Sequence, residues 1–193
     1  MNNLTTEKRT LHKGFMSLVE MIASYTSSDG KKVKAKFELL ERSDCASILL
    51  YDQSGNVLLL SQFRPGAVCH SPNNPEVLEM ISGVIEGNDS PIETAIRESE
   101  EESGVIGADI KNIKEIGAFY LSPGGSTERA HIFTGMTDLS KIDLNKVYGL
   151  EHESESIKVT IQHVDSVLND AKNLNINVTL YAALLNVKSE ISK

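Results

Sequence analysis

The sequence predicts an α+β protein, with one central helix set among strands and further helices toward the C-terminal end. Three observations predict it. Val33, Ala35, Phe37 and Leu39 alternate with Lys32, Lys34, Lys36 and Glu38, the period-two sign of a half-buried strand. Ser90-Pro91-Ile92-Glu93 forms a capping box with proline at the first helical position, and Gly104 fits the residue that follows a helix, so a helix is predicted over residues 91–103. Leu180, Ala183, Leu184 and Val187 share one face of another helical stretch.

The elements follow in order. Residues 12–26 and 31–41 are predicted strands joined at Ser27-Ser28-Asp29-Gly30. A lone hairpin is marginal in water, so it must pack on the rest of the chain or on a second subunit. Residues 1–43 are therefore assigned to an antiparallel β extension that serves dimerisation, and residues 44–193 to the main domain. Residues 47–51 and 57–62 form the next strands, across Asp52-Gln53-Ser54-Gly55-Asn56. Val77 to Ile81 is a strand that leads through a glycine-bearing loop into the central helix. Residues 110–121 and 129–136 are strands flanking Ser122-Pro123-Gly124-Gly125, residues 138–148 are loop, and 159–161 is a short strand. Helices over 163–172 and 177–188 close the chain.

Composition excludes several classes. A formal charge of −8 over 193 residues argues against a general nucleic-acid binder. Cys45 and Cys69 show no pairing pattern or CxxC spacing, which points to a reduced, cytoplasmic setting. The polar start MNNLTTEKRTLHKG has no apolar signal core, and no apolar run approaches membrane-spanning length.

The chemistry concentrates in GVIEGNDSPIETAIRESEEESGV, residues 83–105. Residues three and four apart share a helix face, so Glu98, Glu101 and Glu102 point one way. Like charges at that spacing destabilise a bare helix. Hard divalent cations take oxygen ligands and bind phosphates beside carboxylates, so such a helix can hold metal against a diphosphate. A solvated glutamate-rich face is the plainer interpretation. The fixed positions that match a known signature here would coincide by chance in roughly one chain in 10⁵.

That signature is the Nudix box, which the segment resembles. Gly83, Arg97, Glu98, Glu101, Glu102, Gly104 and Val105 fall in its register, while Asp89 replaces its first glutamate and Ser99 an aliphatic residue. The resemblance implies a Nudix-type α/β/α sandwich with a mixed sheet. Leu58–Gly66 (LLLSQFRPG), Leu78–Gly83 (LEMISG), Ser122–Arg129 (SPGGSTER) and Gly149–Ile157 (GLEHESESI) look like the ADP-ribose pyrophosphatase branch, as does Gly14 to Leu18. That branch splits ADP-ribose into AMP and ribose 5-phosphate with magnesium, for which manganese is a substitute.

The resemblance also implies roles. Glu98 and Glu102 would be the main magnesium ligands, with Glu101 contributing directly or through water and Ser82 through its backbone carbonyl. Arg97 would orient the glutamates by ion pairing. Arg64 would grip the diphosphate, a task that suits the guanidinium fork. Glu128 and Ser122 would approach the terminal ribose, Gly124 would permit close backbone approach, and Phe15 would stack on adenine across a dimer interface. Where the branch carries a second substrate arginine this chain has Phe37, beside Lys36. The catalytic base would come from a late loop, with Glu153 the first choice and Glu155 the second; Glu101 is the remaining option. The expected partner is a nucleoside diphosphate sugar, ADP-ribose first. GDP-mannose or another such sugar is the alternative, and a sensor that binds ADP-ribose without hydrolysing it is a second.

Overall fold

Two stretches that are apolar at every position, 48–51 and 57–60, lie at the centre of the larger sheet. In the computed structural model, which describes residues 4–150 and 155–192, they sit within β4 (Cys45–Tyr51) and β5 (Asn56–Phe63). A strand apolar on both faces must be covered on both. Ile48, Leu50, Leu58 and Leu60 pack with Ala95 of the central helix and with Val105 and Tyr148. Leu49, Tyr51, Val57 and Leu59 pack with Val164, Val167, Leu180, Leu184 and Val187 of the C-terminal helices. Helices on both faces of one sheet make the α/β/α sandwich.

The remaining elements of that sheet are β6 (Glu76–Glu79), β7 (Ile81–Val84), β8 (Lys111–Tyr120), β9 (Arg129–Met136), β10 (Val147–Tyr148) and β11 (Ile157–His163). The order is β10-β11-β5-β4-β9-β8, with β6 beside β5 and β7 beside β4. The sheet is mixed: β9 runs parallel to β4, while β5 and β7 run antiparallel to it. The helices are α1 (Pro65–Val68), α2 (Pro91–Ser103), α3 (Val164–Asp170) and α4 (Val178–Ile191).

By backbone contacts the chain divides into two compact units, residues 1–44 with 119–129 and residues 45–118 with 130–193. The first contains a three-stranded antiparallel sheet, β1 (Thr5–Lys13), β2 (Ser17–Thr26) and β3 (Lys32–Glu41). Its buried Glu20 takes ion pairs from Lys36 and from Arg9, the latter at 3.2 Å. The loop before β9 is stitched to β3: Leu40 N–H donates to Gly125 O at 2.8 Å and Thr127 N–H to Leu40 O at 3.1 Å.

Several sequence expectations need correction. The stretch 12–26 is two strands separated by a turn in which Gly14 N–H donates to Met16 O at 3.1 Å; apolar Phe15 and Met16 mask the turn. All of β1 is solvent-exposed, so it has no hydrophobic period to betray it. The strand expected over 77–81 breaks at Met80. β4 and β5 share only the Tyr51–Val57 pair and then splay apart, and β6 pairs with β5 while β7 pairs with β4. The loop 138–148 contains a 3₁₀ turn, Leu139–Lys141, and the short β10. Among the described residues no helix is long and apolar enough to cross a membrane.

Candidate active site

The central helix is framed as its sequence dictates. Ser90 accepts from Glu93 N–H, and Glu93 in return accepts from Ser90 N–H at 2.9 Å. Pro91 opens the helix, and Gly104 ends it in the left-handed region at φ 73°. Ser99, at a position where an aliphatic side chain is usual, is fully buried, and its hydroxyl donates back to Ala95 O at 2.8 Å. The hydroxyl is thus satisfied inside the helix. Asp89 is exposed in the loop ahead of the helix, its N–H on Glu86 O at 3.0 Å.

Glu98 and Glu102 lie on the buried side of α2. Glu102 is only 2% exposed, and its Oε2 accepts from Ser82 N–H at 2.9 Å. Burial holds the Glu102 carboxyl well above the ordinary range, and the neighbouring Glu98 and Glu155 push the same way. Burial likewise pushes Glu98 up to about 7, against the opposing pull of Arg97. Arg97 bridges two carboxylates, with Nη2 on Glu98 at 2.9 Å and Nη1 on Glu101 at 2.7 Å. Gly83 passes directly beneath Glu98: a Cβ there would overlap the Glu98 carboxyl.

Two desolvated carboxylates one turn apart raise each other's cost of ionisation, and a divalent cation offsets that cost. Among the described residues no three His, Cys, Asp or Glu side chains converge as a metal cluster. The oxygen donors that α2 and its neighbour offer a cation are the carboxylates of Glu98, Glu102 and Glu101 and the backbone carbonyl of Ser82. Such hard oxygen donors fit magnesium or manganese.

Arg64 follows β5 and is held rather than free. Its Nε and Nη2 both reach Oε2 of Glu79 at 2.8 Å. Its charge also acts on Glu102 and favours the ionised form there. Glu79 is 8% exposed, and its other oxygen accepts from Asn177 Nδ2 at 2.9 Å. Glu79 and Asn177 escape the sequence-based site. A carboxylate between Leu78 and Met80 in an apolar strand, and an asparagine ahead of a helix, are the signals that point to them.

The larger unit thus brings Ser82, Glu98, Glu101, Glu102 and Arg64 together, and the charge of Glu155 reaches both Glu98 and Glu102. Glu155 Oε2 accepts from Leu150 N–H at 3.4 Å. Glu153 lies outside the described residues. In the smaller unit, Glu128 is buried and ion-paired with Arg42 at 3.3 Å. Ser122 accepts from Gly125 and Ser126 N–H at 3.0 and 2.8 Å, so Ser122, Gly124 and Glu128 share one loop. Phe15 is 98% exposed in the β1–β2 turn, and Phe37 is 39% exposed on β3. A groove of about 890 Å³ in the larger unit, lined by Ser103, Gly104, Lys111, Lys146 and Tyr148 among others, includes none of the expected site residues.

A buried and a half-buried carboxylate on a capped helix, with an arginine held beside them, suit the handling of phosphate groups with a divalent metal. The chain belongs to the Nudix family: residues 41–181 match its domain. Nudix hydrolases generally need a divalent metal. The chain is 34% identical to the ADP-ribose pyrophosphatase of Haemophilus influenzae over 80% of this chain and 70% of that protein. It is 33% identical to the ADP-ribose pyrophosphatase of Escherichia coli K12, over 80% and 72%. It is also 30% identical to the GDP-mannose pyrophosphatase of Pectobacterium atrosepticum, over 86% and 84%.

Proposed function

We propose that this Nudix hydrolase cleaves the diphosphate bond of ADP-ribose to AMP and ribose 5-phosphate, with magnesium as the working metal. The observation that carries the reading is the pair of buried Glu102 and half-buried Glu98 beside Arg64, whose charge reaches Glu102. The likeness to two ADP-ribose pyrophosphatases at 33–34% identity supports the choice of sugar. Glu98, Glu102 and the Ser82 carbonyl, with Glu101 directly or through water, would hold the cation, which would polarise phosphoryl oxygens and acidify water. Arg97 holds Glu98 and Glu101 in place. Arg64 forks onto diphosphate oxygens and keeps the anion aligned for attack. A glutamate of the loop that follows Gly149, Glu153 first and Glu155 second, takes the proton of the attacking water or orients it. In the smaller unit, Glu128, Ser122 and Gly124 receive the terminal ribose and Phe15 stacks on adenine.

The likeness to a GDP-mannose pyrophosphatase across most of both chains favours a second reading, in which GDP-mannose is the better substrate. The intact glutamates count against a sensor that binds without turnover. A panel of ADP-ribose, GDP-mannose, diadenosine polyphosphates and NADH, with products identified, tests these readings. AMP with ribose 5-phosphate as the fastest products supports ADP-ribose; faster release of GMP and mannose 1-phosphate replaces it with GDP-mannose. Binding of ADP-ribose without products at saturating magnesium leaves only the sensor.

A further inference from the structure

We infer that Asn177, the residue that caps α4, positions Arg64 through Glu79 and so tunes the affinity for the diphosphate from a place that does not touch substrate. The inference rests on the reading of Arg64 as the diphosphate grip.

The chain of contacts is continuous. Asn177 Oδ1 accepts from Leu180 N–H at 2.8 Å, capping α4, and from Thr179 Oγ1 at 2.8 Å. A backbone N–H can only donate, so the oxygen of the amide must face the helix. Its NH₂ is thereby fixed toward Glu79 Oε1, which it meets at 2.9 Å. Glu79 is buried, and a buried carboxylate needs its oxygens satisfied. Asn177 satisfies one oxygen, and the Nε and Nη2 of Arg64 satisfy the other, with Gln62 at 3.5 Å as a weak addition. Nε and one Nη2 hydrogen are used, so the outer edge of the fork is presented to an anion. The start of α4 is itself anchored to the strand that carries Glu79: Leu78 N–H donates to Asn175 O at 2.7 Å, and Asn175 Nδ2 donates to Asn74 O at 2.8 Å. The cap of one helix, a buried carboxylate and the arginine therefore form one rigid relay, which ends where Arg64 acts on Glu102.

A bidentate contact depends on the angle of the fork, so a small rotation of Glu79 weakens the grip before it disturbs the fold. Asn177→Asp tests this cleanly. Aspartate caps a helix as well as asparagine does, but it cannot donate to Glu79 and sets a like charge against it. Asn177→Ser keeps the cap without the charge. Steady-state kinetics are measured on the substrate turned over fastest, for each variant alone and combined with Arg64→Ala, alongside thermal melting.

Asn177→Asp is expected to raise KM roughly tenfold, the loss of a charge-assisted hydrogen bond, with kcat within about twofold and a melting temperature that falls while the protein stays folded at assay temperature, since buried Glu79 loses a partner. Asn177→Ser moves KM in the same direction by less. In the Arg64→Ala background Asn177→Asp adds nothing. A wild-type KM for Asn177→Asp, while Arg64→Ala raises KM, overturns the relay and leaves Arg64 as the grip. Equal effects of Asn177→Asp in both backgrounds overturn it too, since Asn177 then acts by another route. A lowered melting temperature in both Asn177 variants with KM at the wild-type value makes the residue structural only. If Arg64→Ala itself leaves KM unchanged, the diphosphate reading of Arg64 falls and the relay falls with it.

Discussion

Glu98 lays its carboxyl across the bare Cα of Gly83, where a Cβ would overlap Oε1, Cδ and Cγ. The glycine is needed for close approach rather than for backbone freedom. It lies in β7 opposite Ala46 of β4, so the helix and the sheet meet at this point. Gly83→Ala is expected to push Glu98 aside and lower kcat/KM about 10²-fold, as displaced reacting groups do. The magnesium concentration for half-maximal rate should rise with it. A Gly83→Ala enzyme with normal kinetics and a normal magnesium requirement would show that Glu98 is not used in this pose.

Glu102→Gln should cost more while leaving the fold alone. Glutamine keeps the acceptor for Ser82 N–H but loses the charge that a cation needs. The expected loss is roughly a thousandfold in rate at saturating magnesium. A folded variant that retains half the wild-type rate would remove Glu102 from the metal site.

Much of this site is legible in the sequence, because it is local. Ser90, Pro91 and Gly104 frame α2 at the residues that capping rules dictate, and the spacing of Glu98 and Glu102 fixes their common face. What the sequence does not reveal is non-local or unpatterned. The Asn177–Glu79–Arg64 relay joins three segments far apart in the chain, and only the fold makes them neighbours. β1 is exposed along its whole length, so burial leaves no period in it. The break at Met80 comes from the splaying of β4 and β5, which no local pattern encodes.

Burial of the carboxylates gives a signed pH prediction for the metal-free protein. The folded Glu98 carboxyl titrates at about 7 against the ordinary 4.5. Between those values the folded state holds a proton that the unfolded state has lost, so stability decreases as pH rises through the window and levels off above it. The contribution is at most about 3 kcal/mol. Melting temperatures in a chelator should run together for wild type and Glu98→Gln near pH 4.5 and separate as pH rises toward 7, because only the wild type loses stability across that window. Added magnesium should stabilise the wild type more at pH 8 than at pH 5.5. Parallel slopes for the two proteins would contradict the burial of Glu98 as a charged-state penalty.

The N-terminal sheet is expected to serve a homodimer. Every residue of β1 is exposed, and Phe15 is 98% exposed in the turn that follows. β1 is also an edge strand of its sheet, and an open strand edge beside an exposed aromatic is a surface that a second copy can cover. Sedimentation at micromolar concentration should return two subunits. A clean monomer would reject the dimer, and with it any role for Phe15 across an interface.

The last prediction concerns the base. Glu155 already exerts its charge on Glu98 and Glu102, which supports the loop after Gly149 as its source. Glu155 also has a local duty: Oε2 accepts from Leu150 N–H at 3.4 Å, and its Cβ sits close against Gly149, at φ 96°. A residue tied to its own turn is suited to shaping the loop, which leaves Glu153 as the choice for the proton. Loop groups that complete a site on closure affect turnover more than binding. Glu153→Gln should lower kcat about 10²–10⁴-fold with KM little changed. Glu155→Gln should be milder and should act partly through loop order. Steady-state kinetics of both variants at saturating magnesium decide between them. If Glu155→Gln is the crippled variant, the base is the residue that already faces the metal helix. If both turn over normally, the base lies outside the loop, and Glu101, released from Arg97, becomes the residue to test.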